Sequence, residues 1–454
     1  MADREFDVIV IGAGPAGEVA AGRLVERGSK RVALIEQELV GGECSFYACM
    51  PSKALLRPQE LLREAQRVPG IRVQDGLDAE AVLERRDEVI HNLDDAAQLP
   101  WLKERGIELI RGHGRLAGER RVEVDGDTLL ARDAIIVAVG SGASMPPIPG
   151  LKEVGAWSNR ELTTTREIPR RLVIIGGGVV GVEMAQAWRS LGSEVTVVEG
   201  LHRLVAREEP FVCEQIAETF AELGIAVHVG EQASAVAREG DEVVVTLQSG
   251  VEARADRVLV AVGRRPHTGD LGLETVGLQA GRSIEVDERM RVPGHDGLYA
   301  VGDVNGRALL THMGKYQARL AVDDILGRPV ELRLDGLRSP RVVFTDPQVA
   351  AVGHTAASAE EAGISTRVID VETSGTAGAS FVGRNAPGKT RFVVDQERDV
   401  LVGATFMGAE VCDFVQAATI AVVGEVPLSL LAHAVAPFPT RSELWLKFTE
   451  EYGL

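Results

Sequence analysis

The chain has 454 residues, enough for two to four domains, with 45% hydrophobic and 26% charged residues, as in an ordinary globular protein. Against 67 acidic residues stand 49 basic ones, a formal charge of −18 that disfavours nucleic acid and anionic membrane surfaces as partners. Four cysteines in a chain this long exclude a structural disulfide framework, and no apolar run has the length of a membrane span. The first residues, MADREFDVIVIG, carry charges where a signal peptide is apolar, so a cytoplasmic location is expected. In a reducing compartment, a close cysteine pair is redox-active or metal-binding before it is structural.

In chain order, DVIVI (7–11) reads as a buried strand. It is followed by Gly12-Ala13-Gly14-Pro15-Ala16-Gly17, an amphipathic helix to about Arg27, and a second strand over 31–35 that ends at Glu36. Gly12 permits the tight turn, Gly14 lets backbone approach a pyrophosphate, and Gly17 lets helix pack on strand. The helix start offers unpaired N–H groups and a positive dipole end to phosphates. Glu36 can accept hydrogen bonds from a ribose diol. Strand, glycines, helix, strand and acid in this order predict a dinucleotide site rather than a bare turn.

Next comes GGECSFYACMPSK (41–53), with Cys44 and Cys49 five positions apart. Five residues of regular helix rise about 7.5 Å, beyond comfortable disulfide reach, so a bridge here needs a distorted first turn. Helix N–H groups and Lys53 would favour the thiolate needed for exchange. Zinc is not expected, because no second ligand pair lies nearby. Residues 78–105 interleave acids and bases with Leu, Val and Ile, predicting one long solvent-facing helix.

The first pattern recurs near residue 170: a strand over 172–175, Gly176-Gly177-Gly178-Val179-Val180-Gly181, and a strand over 195–198 ending at Glu199. A second dinucleotide site is therefore expected at Gly176, Gly178, Gly181 and Glu199. A carboxylate at Glu199 would repel a 2′-phosphate, which favours NAD over NADP, although Arg203 and Arg207 follow closely. Three more strand-like runs end in glycine: IIVAVGS with Gly140, VLVAVGRRP with Gly263 and Arg264, and GLYAVGD with Asp303, an acid suited to a polyol. Cys213 and Cys412 are solitary and read as packing residues. The Gly-, Ser- and Thr-rich stretch 372–389 reads as a loop or loose hairpin.

Taken together, GAGPAG with Glu36, C-x4-C followed by PSK, GGGVVGVE, VAVGRRP, YAVGD and VVFTDPQVAAVG (342–353) closely resemble the class I pyridine nucleotide-disulfide oxidoreductases, over nearly the whole chain. This family includes dihydrolipoyl dehydrogenase, glutathione reductase and mercuric reductase. The resemblance implies an α/β fold with two Rossmann-like dinucleotide-binding domains, for FAD and NAD(P), and a C-terminal α+β dimerisation domain. It places FAD-domain segments at 1–148 and 265–335, a NAD(P) domain at 149–264 and an interface domain at 336–454, in a homodimer with a shared active site. It implies that Glu36 holds the adenosine ribose, that Gly114 lies near the adenine, that Asp303 meets the ribitol and that Thr311 contacts the flavin. Lys53 and Glu183 would pair beside the flavin. Cys49 would be the flavin-side thiol, and Cys44 the interchange thiol that meets a small-molecule substrate.

One position departs from the family. Its disulfide reductases carry His-Pro-x-x-x-Glu near the C-terminus, the histidine serving the partner subunit's interchange thiol as acid and base. Glu443 matches that Glu, but Phe438 stands at the His position, with His433 five residues upstream. A phenyl ring transfers no protons, and such help is worth about 10²–10⁴ in rate. The leading expectation is an NAD(P)H:disulfide oxidoreductase working through a Cys44–Cys49 disulfide. Three alternatives stand beside it. One is a metal-ion or quinone reductase, although the C-terminal cysteine pair of mercuric reductases is not seen. Another is a carboxylase resembling 2-ketopropyl coenzyme M oxidoreductase/carboxylase, which shares the Phe but has His in place of Glu443. The third is a redox-sensing FAD-binding subunit.

Overall fold

The computed structural model describes residues 4–74, 76–386 and 388–454. Residues 1–3 of the N-terminal run and Pro387 of the 372–389 stretch lie outside them. Two compact units emerge: Met1–Pro51, Asp87–Ser144 and Arg264–Gly336 form one, and Ser52–Arg86, Met145–Gly263 and Leu337–Leu454 the other.

The first unit is built on the apolar strand Arg4–Ile11, whose Val8, Ile9 and Val10 are fully buried. Burial on both faces suits a strand inside a parallel sheet. It pairs in parallel with Val32–Glu36 on one side and Asp127–Val137 on the other, and Glu108–Arg111 extends the sheet beyond Val32–Glu36. Past Asp127–Val137 the sheet turns antiparallel through Arg121–Val124 and Gly114–Leu116, while Leu298–Ala300 pairs in parallel with residues 135–137. Ile11 sits opposite Ile35 and Val137, and Val137 opposite Ala300. This register brings four strand C-termini to one edge, where open α/β sheets bind ligands. Helix Pro15–Gly28 packs against helix Thr311–Ile325, with Ala16 so close to Gly314 that a Cβ there would come within 3.3 Å of the Ala16 methyl.

The second unit repeats the plan in a parallel sheet whose strand order is Ala226–Val229, Glu194–Glu199, Arg171–Ile175, Arg257–Val260. Helix Val179–Ser190 buries Val182, Met184 and Trp188 in the core of this unit. A three-stranded antiparallel sheet (Ala233–Glu239, Glu242–Leu247, Glu252–Ala255) and a five-stranded antiparallel sheet spanning residues 341–408 complete it. The latter is closed by an aromatic cluster in which Phe392 stacks on Phe448 at 4.1 Å and meets Phe406 edge-on.

The helix expected over 78–105 is not one helix. It ends at Val89, and 3₁₀ turns at His91–Leu93 and Ala96–Gln98 precede a short helix, Leu99–Glu104. His91, Asn92 and Leu93 all have φ between 51° and 61°, which no right-handed helix accommodates. Asp95 then anchors the turn by accepting from the Val40 amide and from Arg111. Nor is the face wholly solvent-facing: Arg86 is fully buried, its guanidinium donating to the carbonyls of Thr163 and Thr165. Within residues 372–386 lie two short 3₁₀ turns, Thr373–Gly375 and Gly378–Phe381, and the strand Lys389–Asp395 follows.

Candidate active site

In the first unit the glycine turn is shaped by contacts that only glycine tolerates. Gly12 has φ +101° and a Cβ there would meet the Ala138 carbonyl oxygen at 2.5 Å, while one on Gly17 would lie 1.9 Å from the Gly12 oxygen. Gly14 is different: a Cβ there would meet nothing within 4 Å, so its outer side is open. Gly14 is the N-cap of helix Pro15–Gly28 and supplies no side-chain cap, which leaves first-turn N–H groups to a ligand. The Glu36 carboxylate accepts from the Ala13 amide at 2.8 Å and the Glu38 amide at 2.7 Å, and burial holds its pKa above the ordinary range.

The second unit has the same construction. A Cβ on Gly176 (φ +113°) would meet the Ala261 oxygen at 2.4 Å, one on Gly181 would meet the Gly176 oxygen at 1.9 Å, and one on Gly178 would again meet nothing. Glu199 accepts from the Gly177 amide at 2.5 Å and the Leu201 amide at 2.7 Å. An open glycine at an uncapped helix start, with a carboxylate held at the end of the next strand, fits a dinucleotide in both units.

The cysteines occupy two separate helical pieces. Cys44 lies in the short helix Gly42–Phe46, whose start is pressed on the glycine turn: a Cβ on Gly42 would come 2.9 Å from the Gly14 Cα. The helix ends at Tyr47, and Cys49 begins a new one, Cys49–Arg67. That break brings the two thiols, unbridged here, near each other across a spacing too long for one regular helix. The Cys49 Sγ is also 3.4 Å from the Thr311 Oγ1. The hydrogen bond with Cys49, and burial after it, pushes the Cys44 thiol well above its ordinary pKa.

Asp303 accepts from the Ser141 hydroxyl at 2.5 Å, and Arg264 Nε donates to the same hydroxyl at 2.7 Å, lying 3.4 Å from Asp303. Arg264 thus belongs to the first unit, where Arg264–Pro266 pairs with Ser141–Ala143. Ser141 was missed by sequence reasoning, although it directly follows Gly140 at the end of a strand-like run. Gly140 (φ +68°) and Gly263 (φ +134°) both face open space, whereas Gly114 packs on Ile11 and Ile35. In the second unit, Lys53 Nζ lies 2.8 Å from Glu183 Oε2 and 4.8 Å from the Phe344 ring centroid, and Glu183 also accepts from the Phe344 amide. Phe438 is 77% exposed, and His433 is exposed too. Glu443 accepts from the Gly378 amide at 3.4 Å. The described residues contain no cluster of three or more His, Cys, Asp or Glu able to hold a metal, and no helix long and apolar enough to cross a membrane.

Residues 6–318 match the family model described as pyridine nucleotide-disulphide oxidoreductase, and residues 339–447 match its dimerisation domain. The chain belongs to the pyridine nucleotide-disulphide oxidoreductase family. Among curated relatives, the dihydrolipoyl dehydrogenase of Haloferax volcanii is 32% identical, covering 98% of this chain and 95% of that one. The mercuric reductase of Staphylococcus aureus is 30% identical over 97% of this chain and 81% of its own. The crystal structure of LpdA from Mycobacterium tuberculosis is similar at a TM-score of 0.89 and 25% identity, covering 99% of this chain and 100% of that one. As a pyridine nucleotide-disulphide oxidoreductase the chain is a flavoprotein using FAD and NAD(P), with two Rossmann-like domains and a C-terminal dimerisation domain.

Proposed function

We propose that the chain is a cytoplasmic, homodimeric NADH:disulfide reductase in which Cys44 is the interchange thiol and Cys49 the flavin-side thiol. The observation that carries this reading is the Cys44–Cys49 pair on two adjoining helical pieces, with Cys49 beside Thr311 and the helix of Cys44 pressed against the first glycine turn. FAD is assigned to residues 1–148 and 265–335, with Gly12, Gly14, Gly17, Glu36, Gly114, Gly140 and Asp303 around it. The nicotinamide cofactor is assigned to 149–264, and 336–454 to the interface. Lys53, Glu183 and Glu443 keep the parts that the resemblance gives them. Glu199, held by two amides as an acceptor, supports NAD over NADP.

Bound FAD supplies the two-electron relay between reduced nicotinamide and the Cys44–Cys49 disulfide. The chain's own residues do the rest. Once the disulfide is opened, the Cys44 thiolate attacks one sulfur of a substrate disulfide, forming a mixed disulfide and releasing one thiolate. Cys49 then attacks Cys44, restores the internal disulfide and releases the second thiolate; both leaving groups take a proton. Thr311 can hydrogen-bond the Cys49 sulfur throughout this exchange.

Phe438 favours a second reading, transfer to a metal ion or a quinone, because such acceptors need no protonated thiol leaving group. A Cys44→Ser variant separates the two. Under the disulfide reading, NADH-dependent reduction of lipoamide or glutathione disulfide vanishes while NADH still bleaches the flavin. Full retention of turnover with either acceptor would refute it.

A further inference from the structure

Three segments of the first unit meet at Arg264. Its strand, Arg264–Pro266, pairs with Ser141–Ala143, so that Nη2 donates to the Ser141 carbonyl oxygen at 2.5 Å while Nε donates to the Ser141 hydroxyl. The same guanidinium lies 3.4 Å from Asp303, in the 3₁₀ turn Gly302–Asn305, and 3.7 Å from Glu43, in the helix Gly42–Phe46. The Glu43 and Arg264 side chains are only 17% and 20% exposed, so water screens this pair less than a surface one. One guanidinium answers two carboxylates, which leaves negative charge in excess.

FAD runs from flavin and ribitol through a pyrophosphate to adenosine. Asp303 is assigned to the ribitol, Glu36 to the adenosine ribose, and the open side of Gly14 to the pyrophosphate between them. Gly42, next to Glu43, is packed so closely on this turn that a Cβ there would come 2.9 Å from the Gly14 Cα. Glu43 therefore brings a carboxylate to the edge of a place where the ligand is anionic and where a guanidinium is the natural partner. Resting on this placement of FAD, we propose that Glu43 sets the affinity for FAD by engaging Arg264. Its carboxylate withholds that guanidinium from the cofactor's phosphates and adds its own repulsion to them. Glu43 is a positioning residue that acts through Arg264, and the ion pair also fastens the helix carrying Cys44 to the Asp303 side of the site.

The test is calorimetric titration of the flavin-free full chain with FAD. Glu43→Gln removes the charge at nearly constant shape and is expected to tighten FAD by about tenfold at low salt, a gain that no damage to the fold produces. In about 1 M salt, where the screening length falls to about 3 Å, that gain should shrink below about threefold. Glu43→Asp keeps the charge and should stay within about threefold of the unsubstituted chain, while Arg264→Met should weaken FAD by about tenfold. Unchanged or weaker binding in Glu43→Gln, a gain indifferent to salt, an equal gain in Glu43→Asp, or undiminished binding in Arg264→Met would overturn the proposal. Gly14→Ala reports on the placement of FAD itself. Weakened FAD there beside unchanged FAD in Glu43→Gln overturns the proposal alone, and unchanged FAD in both overturns the placement as well.

Discussion

The Lys53–Glu183 pair shows how one residue's cost depends on its neighbour. The Glu183 side chain is 4% exposed, and Lys53, 35% exposed, supplies its counter-charge. Lys53→Met leaves that carboxylate, among the described residues, with the Phe344 amide, and should destabilise the protein by roughly 1–3 kcal/mol, less than for a fully buried pair because Lys53 is partly solvated. Adding Glu183→Gln should recover most of the loss; chemical denaturation of the single and double variants measures both. Glu18 predicts a pH effect of definite sign. Its folded pKa, about 7, lies above the ordinary 4.5, so the folded state holds its proton more tightly. That contribution is fully present below about pH 4.5 and is lost as pH rises through about 7, a span worth roughly 3 kcal/mol at most. Thermal unfolding of the flavin-free protein from pH 5 to 8 should show this decline, and Glu18→Gln should flatten it. Neither residue effect was fully legible in the sequence. Lys53 and Glu183 became partners only through the family resemblance, and the burial that lifts Glu18 comes from the fold around it.

At the scale of elements, the glycine turns separate folding from binding. Alanine at Gly17 or Gly181 drives a methyl into a backbone oxygen and should damage the local fold. Alanine at Gly14 or Gly178 meets open space, and Gly14 (φ −71°, ψ 178°) already has a backbone that alanine adopts freely. Gly14→Ala should therefore leave the melting temperature of the flavin-free protein unchanged while weakening FAD at least tenfold, and Gly178→Ala should do the same to NADH alone. Calorimetric titration of each variant with each cofactor checks the cross-pattern. These turns were readable because strand, turn and helix are contiguous and the clashes that demand glycine at Gly17 and Gly181 are local ones. The 78–105 segment was misread although its charges stop between Glu88 and Asp94, where His91 and Asn92, residue types enriched at positive φ, interrupt the helix. The Asp95 anchor comes from Val40 and Arg111, which no window around residue 95 contains.

For the whole molecule, the C-terminal part leaves Val435 (87% exposed) and Phe438 in solvent in the single chain, and it matches the family's dimerisation domain. Exposed apolar side chains of this kind suit an interface with a second copy. Sedimentation should give twice the chain mass. In that dimer, Phe438→His should raise disulfide reduction by about tenfold or more if the proton donor limits turnover. The order of motifs made the two dinucleotide units legible, while strand pairing between residues such as Val137 and Ala300, far apart along the chain, came only from the fold. Electron flow through the Cys44–Cys49 pair is tested most directly by anaerobic reduction with NADH, followed by thiol counting at both cysteines and mixing with a disulfide. Two new thiols per chain and rapid reoxidation by the disulfide are the expected result; flavin reduction with no new thiols, or reoxidation only by metals or quinones, would contradict it.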